Sequence, residues 1–166
     1  MRTKQEGRLT DLKAVKSFVT AGRATFTLVS KRTLKRFTFK TTMAVDPLTN
    51  QPVKPERFYV KVLTGPDKYT FIGRLQGIPL EYKFISKPYG PAADAPSVKA
   101  FRWFWWMVNT VTLKGEERFL DQVEFWHEGS CGRCGRQLTV PSSIASGIGP
   151  ECAQRLEVMV LLDELI

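Results

Sequence analysis

The residues most able to do chemistry are three cysteines and one histidine that lie close together late in the sequence. They form the pattern His127-x3-Cys131-x2-Cys134-x17-Cys152 and include every cysteine and the only histidine of the 166 residues. Three thiolates and one imidazole match the ligand set of a tetrahedral zinc ion. An odd number of cysteines cannot all pair as disulfides within one chain. The pattern therefore predicts one Zn²⁺ held by these four residues.

The local sequence supports a folded metal site. Gly132 and Gly135 each follow a cysteine and permit a tight turn, and Pro150 suits the start of a final helix that carries Cys152. The positive end of that helix favours the thiolate form of the cysteine. A Cys-x2-Cys turn with a third ligand at a helix start is typical of a treble-clef-like zinc finger. Four protein ligands leave no position for water, so the predicted zinc is structural.

Other interpretations of these residues exist. A Cys-x2-Cys pair can be a redox dithiol, but that function needs a thioredoxin-like βαβ context, which the sequence lacks, and it leaves Cys152 unexplained. His127 can be a surface residue rather than a ligand. In that case Glu128 or Asp121 is the next candidate for the fourth ligand.

The same residues resemble a known domain family. The stretch Cys-Gly-Arg-Cys-Gly-Arg-Gln-Leu-Thr-Val-Pro-Ser-Ser that begins at Cys131, and Gly-Ile-Gly-Pro-Glu-Cys that ends at Cys152, resemble the signature of a domain family of unknown function. That family is common in bacteriophage-encoded proteins. The resemblance covers roughly residues 125–155, and Phe18–Ser30 is also similar to the N-terminal part of phage proteins with this domain. It implies a zinc-binding module in a phage setting and supplies no activity.

Apolar periodicity predicts the elements that must position the cluster. Helical spacing over about 11–21 predicts a first helix, and alternation predicts strands at 23–30, 36–43, 57–64 and 68–75, with a further short strand at 82–86. A second helix is expected from Val98 to about Asn109, and a last one from Pro150 to the C-terminus, with Leu156, Val160 and Leu161 on its buried side. The predicted fold class is α+β: an N-terminal antiparallel β-sheet module with two helices, then a small treble-clef-like zinc finger ending in a C-terminal helix.

Composition divides the chain into three parts. Residues 1–114 are predicted to form the basic α+β sheet module, and 115–122 are predicted to be a polar linker. Residues 123–166 are predicted to form the zinc-binding module, which begins with a short strand.

The net charge of +9 belongs to the N-terminal half. Residues 1–83 carry a net +11, whereas 127–166 are slightly acidic. A basic excess of this kind is typical of a domain that binds an anionic partner. The densest cluster lies where a hairpin connection is predicted, and a solvated hairpin tip is an equally good interpretation of it. The candidate nucleic-acid-binding residues are Lys31, Arg32, Lys35, Arg36, Lys40 and Lys61 of the sheet module, with Arg133 and Arg136 at the zinc turn.

Aromatic residues are interleaved with these cations. The aromatic residues of the predicted strands either contact bases or form the core, and one face of the sheet must belong to the core. These residues are Phe26, Phe37, Phe39, Tyr59 and Tyr69. Trp103 and Trp106 lie beside the main apolar stripe of the second helix. Either both tryptophans are buried, so that the helix is covered on two sides, or they form a partner-binding surface.

Several function classes lack support in the sequence. There is no phosphate-binding Gly-x4-Gly-Lys-Ser/Thr loop and no His-Glu-x2-His motif, and the sole histidine is assigned to metal, so no enzyme is expected. No apolar run is long enough to span a membrane, and no secretory segment is visible, so we expect a cytoplasmic protein, in the host bacterium if phage-encoded.

Two functional hypotheses remain. The first is a non-enzymatic protein that binds nucleic acid, or a nucleic-acid-processing complex, through the basic sheet module. The alternative is a protein-binding inhibitor of a host defence system, of the anti-CRISPR or anti-restriction type. For the alternative, the phage resemblance and the surplus tryptophans are the supporting features.

Overall fold

An antiparallel sheet of seven strands organises the chain. The computed structural model describes residues 7–110, 113–139 and 141–155, without the side chains of 113–116. The strands follow the order β1-β7-β2-β3-β4-β5-β6 across the sheet, and residues 150–155 are again helical. The elements in chain order are β1 (Gly7–Leu9), α1 (Leu12–Val19), β2 (Arg23–Ser30), β3 (Arg36–Met43), β4 (Phe58–Gly65), β5 (Lys68–Gln76), β6 (Glu81–Phe84), α2 (Pro96–Asn109), α3 (Leu113–Gln122), β7 (Val123–His127) and α4 (Pro141–Ser146).

One face of the sheet, called the inner face below, forms the core with the helices. Alternate side chains of the central strands are fully buried there, because successive residues of a strand point to opposite faces. The ring of Phe26 lies 5.6 Å from Phe104, and that of Phe39 lies 5.2 Å from Phe101, both on α2. Helix α1 is attached to the same face, where the Thr41 hydroxyl donates to the Val19 carbonyl at 2.7 Å.

The opposite face, called the outer face, carries the other half of the alternating side chains. In the described part of the chain, the aromatic contacts of α1, α2 and α3 are made with one another and with the inner face. The outer face carries threonine, lysine, arginine and a few aromatic side chains instead. The fold therefore leaves one side of the sheet without a helical layer in the described residues.

The predicted α+β class is confirmed, and so are both helices and the five strands of the N-terminal half. The structure does not divide at 115–122, however. That stretch lies within α3, and the following strand β7 takes a place between β1 and β2 inside the same sheet. Few apolar residues mark α3, yet Phe119 is fully buried and its ring stacks on that of Trp103 with the centroids 5.9 Å apart.

The predicted C-terminal helix is confirmed over 150–155. Its expected buried positions Leu156, Val160 and Leu161 lie outside the described residues. Among the residues that the structure describes, no helix is both long enough and apolar enough to cross a membrane.

Replacing Phe119 with alanine tests whether 115–122 is part of the core. We expect Phe119→Ala to lower the free energy of unfolding by about 3–5 kcal/mol, because the ring is buried against α2 and leaves a cavity. Urea denaturation followed by circular dichroism measures the change. Arg118→Ala, on the exposed side of the same helix, is the control. A solvated linker would make both variants equally stable.

Candidate functional site

The first two cysteines lie in the turn of a small hairpin. Ser130 and Gln137 pair as an isolated bridge, and Cys131 and Cys134 lie between them. The turn is closed by backbone hydrogen bonds, in which the Cys131 N–H donates to the Arg136 carbonyl at 2.8 Å and the Gly135 N–H to the Cys131 carbonyl at 2.9 Å. Gly135 adopts φ = 78°, which a residue with a side chain reaches only at a cost. We call residues 130–137 the knuckle.

The third cysteine comes to the knuckle from the first turn of the last helix. The Sγ atoms of Cys131, Cys134 and Cys152 all lie within 4.8 Å of one another. A tetrahedral metal with sulfur bonds of about 2.3 Å requires sulfurs about 3.8 Å apart, which lies within this limit. The arrangement confirms the predicted treble-clef-like layout, and three of the four predicted ligands come together.

Backbone amide groups stabilise the thiolate form of Cys131. The N–H groups of Arg133 and Gly149 donate to its Sγ at 3.4 and 3.3 Å. Burial by itself raises the pKa of the Cys131 thiol, but the amides of Gly149, Cys134 and Arg133 outweigh it and leave that pKa below its usual value. The knuckle therefore favours the charged form that binds a metal.

Cys152 shows the opposite tendency. Burial raises the pKa of its thiol to about 11, and hydrogen bonds with Cys134 and Cys131 and their negative charges act in the same direction. Three thiolates this close repel one another, and a bound cation relieves that repulsion. The donor set thus fits a thiolate-binding metal ion.

The His127 ring lies apart from the three sulfurs, and its role as the fourth ligand stays a prediction. The Gly129 N–H donates to Nδ1 of His127 at 2.9 Å, so Nδ1 is the acceptor and Nε2 carries the proton. That Nε2–H donates to the Ile144 carbonyl. Both ring nitrogens are engaged by the backbone, and the ligand atoms that lie together among the described residues are the three sulfurs alone.

His127 instead connects the sheet to the segment between the knuckle and the last cysteine. The imidazole is fully buried at the end of β7, lies 5.7 Å from the Phe18 ring of α1 and holds α4 through Ile144. The space around the ring is closely bounded, because a Cβ at Gly7 of β1 would overlap Nε2 of His127. Gly132 of the knuckle similarly contacts Phe18 so closely that a Cβ would come within 2.7 Å of that ring.

Glu128 and Asp121, the other candidates for the fourth ligand, do not lie beside the sulfurs either. Glu128 lines a pocket on the outer face with Arg36 and Trp126, and Asp121 is exposed on α3. The described residues therefore supply three ligands, and the predicted closed shell of four is not observed. The sulfurs of the cluster border a cavity of about 370 Å³ that is also lined by Thr139, Glu151 and Arg155.

The predicted basic residues of the sheet module lie in two adjoining places. Lys31, Arg32 and Lys35 form the exposed tip of the β2–β3 hairpin, as the sequence indicated. The other three extend from this tip onto the outer face through β3 and β4, and they are Arg36, Lys40 and Lys61.

Two of these lysines lie directly opposite each other on adjacent strands. Lys40 pairs with Lys61 in the β3–β4 register, and both are partly buried. Neither forms an ion pair within the described residues, and the Lys40 Nζ lies 4.3 Å from the centroid of the Tyr69 ring. Like charges in this arrangement destabilise a sheet unless an anion lies between them.

A second pair of cations lies on the same face and was not predicted. Arg74 of β5 lies opposite Lys83 of β6. A β-bulge between Val60 and Lys61 changes the register, so Phe71 and Arg74 both point outward although they are three residues apart. Simple alternation along the sequence does not reveal such a position.

The aromatic residues divide between the two faces. Phe26 and Phe39 are fully buried and Phe37 packs against the core, so these three do not support nucleic-acid binding. Tyr59 and Tyr69 lie on the outer face. Phe71 and Trp126 join them there.

The remaining predicted residues lie apart from the outer face. Arg133 and Arg136 belong to the knuckle, where Arg136 faces Glu151 at 3.9 Å in an exposed ion pair of little energetic value. Trp103 is used inside the protein, stacked on Phe119. Trp106 is 58% exposed, so only one of the two tryptophans is available to a partner.

The comparisons with known proteins match the cysteine-containing segment alone. Residues 124–157 match DUF6011, a family of unknown function. This agrees with the resemblance of roughly residues 125–155 to a domain family of unknown function. No curated protein and no solved structure matches the chain.

Metal content distinguishes the three cysteines from the histidine. We expect the purified protein to hold about one metal ion per chain and Cys131→Ser to lose most of it, because two sulfurs do not hold the ion as tightly. His127→Gln should retain the metal and lose about 1–3 kcal/mol of stability, because buried backbone partners lose their hydrogen bonds. Elemental analysis and urea denaturation measure both properties. A folded His127→Gln protein without metal would make the histidine a ligand after all.

Proposed function

We propose that this is a non-enzymatic protein that binds nucleic acid through the outer face of its sheet, with a zinc ion stabilising the knuckle. The observation that carries the proposal is the Lys40–Lys61 pair, two partly buried lysines placed opposite each other without an acidic partner among the described residues. A polyanion satisfies both charges, because neighbouring phosphates of one chain lie close together.

The surroundings of this pair support a phosphate-binding surface. The exposed cluster Lys31–Arg36 continues it at one end, and the Arg74–Lys83 pair continues it toward β6. Among the acidic residues nearby, Glu124 is already paired with Arg8 at 3.5 Å. Glu128 and Asp67 lie near Tyr69, and the pKa of its hydroxyl is raised by burial, the larger cause, and by these two charges. A surface with mainly one sign of charge attracts an oppositely charged polymer over a distance and fixes its position on the face.

Zinc is the metal we propose for the cysteines. Three thiolates form a soft ligand set, which suits zinc, and the knuckle and helix start are elements that such an ion joins in structural sites. The knuckle lies against α1 on the inner face. Its metal therefore stabilises the layer beneath the binding surface and does not contact the nucleic acid.

The setting of the protein belongs to the same proposal. Three free cysteines that bind a metal suit a reducing compartment, so we place the protein in the cytoplasm. The phage resemblance of the cysteine segment makes that the cytoplasm of a bacterial host.

Neutralising the central lysines should weaken binding in a salt-dependent way. We expect the double variant Lys40→Gln/Lys61→Gln to bind a fluorescein-labelled 30-nucleotide DNA or RNA less tightly than the parent. The slope of log K against log salt should fall by roughly 1.5, because two phosphate contacts are removed. Fluorescence anisotropy over a range of salt concentrations gives both quantities.

The control carries the same change in net charge on the helical side of the molecule. Lys13→Gln/Lys16→Gln alters two exposed lysines of α1 and should leave affinity and slope unchanged. Equal losses in the two double variants would mean that only net charge matters. No binding of any 30-mer at low salt would refute the proposed function.

A further inference from the structure

The outer face carries aromatic rings that the core does not use. Tyr59, Tyr69, Phe71 and Trp126 all point outward, and none of them belongs to the hydrophobic core or to the partly buried residues packed against it. Tyr59 is 37% exposed. Rings at a surface gain less hydrophobic stabilisation than rings in the core. Their presence on the charged face therefore favours a ligand that has apolar faces of its own.

The rings alternate with the cations in a regular way. Phe71 lies opposite Lys61, and Tyr59 lies opposite Arg74, so rings and cations alternate at neighbouring positions of β4 and β5. The centroids of Tyr59 and Phe71 are 6.2 Å apart with the ring planes at 62°, which is an edge-on contact and not a stacked one. Along one row a ligand that crosses β3 to β5 meets Lys40, Lys61 and Phe71. Along the next row a ligand that crosses β4 to β6 meets Tyr59, Arg74 and Lys83.

Lysines lie over two of the rings in the free protein. The Nζ of Lys40 is 4.3 Å from the Tyr69 centroid, and that of Lys87 is 5.4 Å from the Phe71 centroid. These contacts keep the ammonium groups beside the rings while no anion is bound. A ligand that offers a phosphate to each lysine and a flat base to the neighbouring ring replaces both contacts with stronger ones.

A polar pocket adjoins Trp126 at the β7 side of the face. It has a volume of about 220 Å³ and is lined by Thr27, Arg36, Thr38 and Glu128 besides the tryptophan. The two threonine hydroxyls are hydrogen-bonded to each other at 2.7 Å. Hydroxyl, guanidinium and carboxylate groups next to an indole offer donors and acceptors to the edge of a base that is not paired with another.

From this juxtaposition we propose that the ligand is single-stranded nucleic acid, whose bases stack on Tyr59 and Phe71 while Lys40, Lys61, Arg74 and Lys83 bind the phosphates. The inference rests on the proposed function and names the form of nucleic acid. In a duplex the base faces are stacked on each other and are closed to protein rings, so a duplex uses the cations and leaves the rings exposed. An unpaired strand uses both.

The test compares single strands with a duplex of the same length. We expect labelled dT20 or rU20 to bind more tightly than a 20-base-pair duplex at equal salt. Tyr59→Leu/Phe71→Leu should weaken single-strand binding by about tenfold or more, because each stacked base is lost, while the salt slope stays that of the parent. The duplex affinity of this variant should not change. Comparison of dT20 with rU20 shows whether DNA or RNA is preferred.

A tyrosine outside the sheet provides the matched control. Tyr89→Leu removes a fully exposed ring from the loop before α2 and should bind as the parent does. Circular dichroism confirms folding of each variant, and Tyr59→Leu alone replaces the double variant if the latter does not fold.

The possible results separate the two proposals. Equal or tighter binding of the duplex, or parental single-strand affinity in the aromatic variants, overturns the single-strand inference and leaves the proposed function standing. Absence of binding to every oligonucleotide overturns both.

Discussion

The His127 imidazole makes two hydrogen bonds with backbone groups. These bonds hold the cysteine-containing segment to the rest of the molecule. His127 ends β7, accepts a hydrogen bond from the N–H of Gly129 just before the knuckle and donates one to the carbonyl of Ile144 in α4. These bonds fix the ring at the end of the sheet, where Phe18 of α1 packs against it. The sheet, the first helix and the metal-binding segment therefore share one buried contact. A metal ion that tightens the knuckle also tightens the helical layer behind the sheet.

The helical layer is what makes the outer face distinctive. Because the described helices contribute their aromatic contacts to the inner face, the apolar side chains of the strands are concentrated there. The side chains of the outer face are then available for a role other than packing against the helices. Lys40 and Lys61 lie opposite each other at a cost to the sheet, and rings such as Tyr59 remain at the surface. A binding surface accounts for both features with one cause.

Sequence reasoning succeeded where the signal was local. The spacing of the three cysteines predicted the knuckle and the helix start, and alternation predicted the strands from Arg23 to Leu75. For His127 it left two roles open, because a ligand and a hydrogen-bonded core residue have the same type and spacing in the sequence. Only the structure shows the hydrogen bonds with Gly129 and Ile144. It failed for α3, where Phe119 is one of few apolar residues, and for Arg74, which a bulge turns outward.

The place of β7 has a consequence for how the chain folds during synthesis. Strands β2 to β6 are neighbours in sequence and can pair in order as they emerge, but β2 finds its second partner only when residues 123–127 arrive. Until then the backbone groups on that side of β2 are an open edge, and Phe26 lacks the stacked ring of Phe125 4.9 Å away. β1 precedes β2 in the chain, and its pairing with β7 also forms only after residues 123–127 have been made. The nascent protein therefore exposes an unpaired strand edge until residues 123–127 have been made and pair with β2.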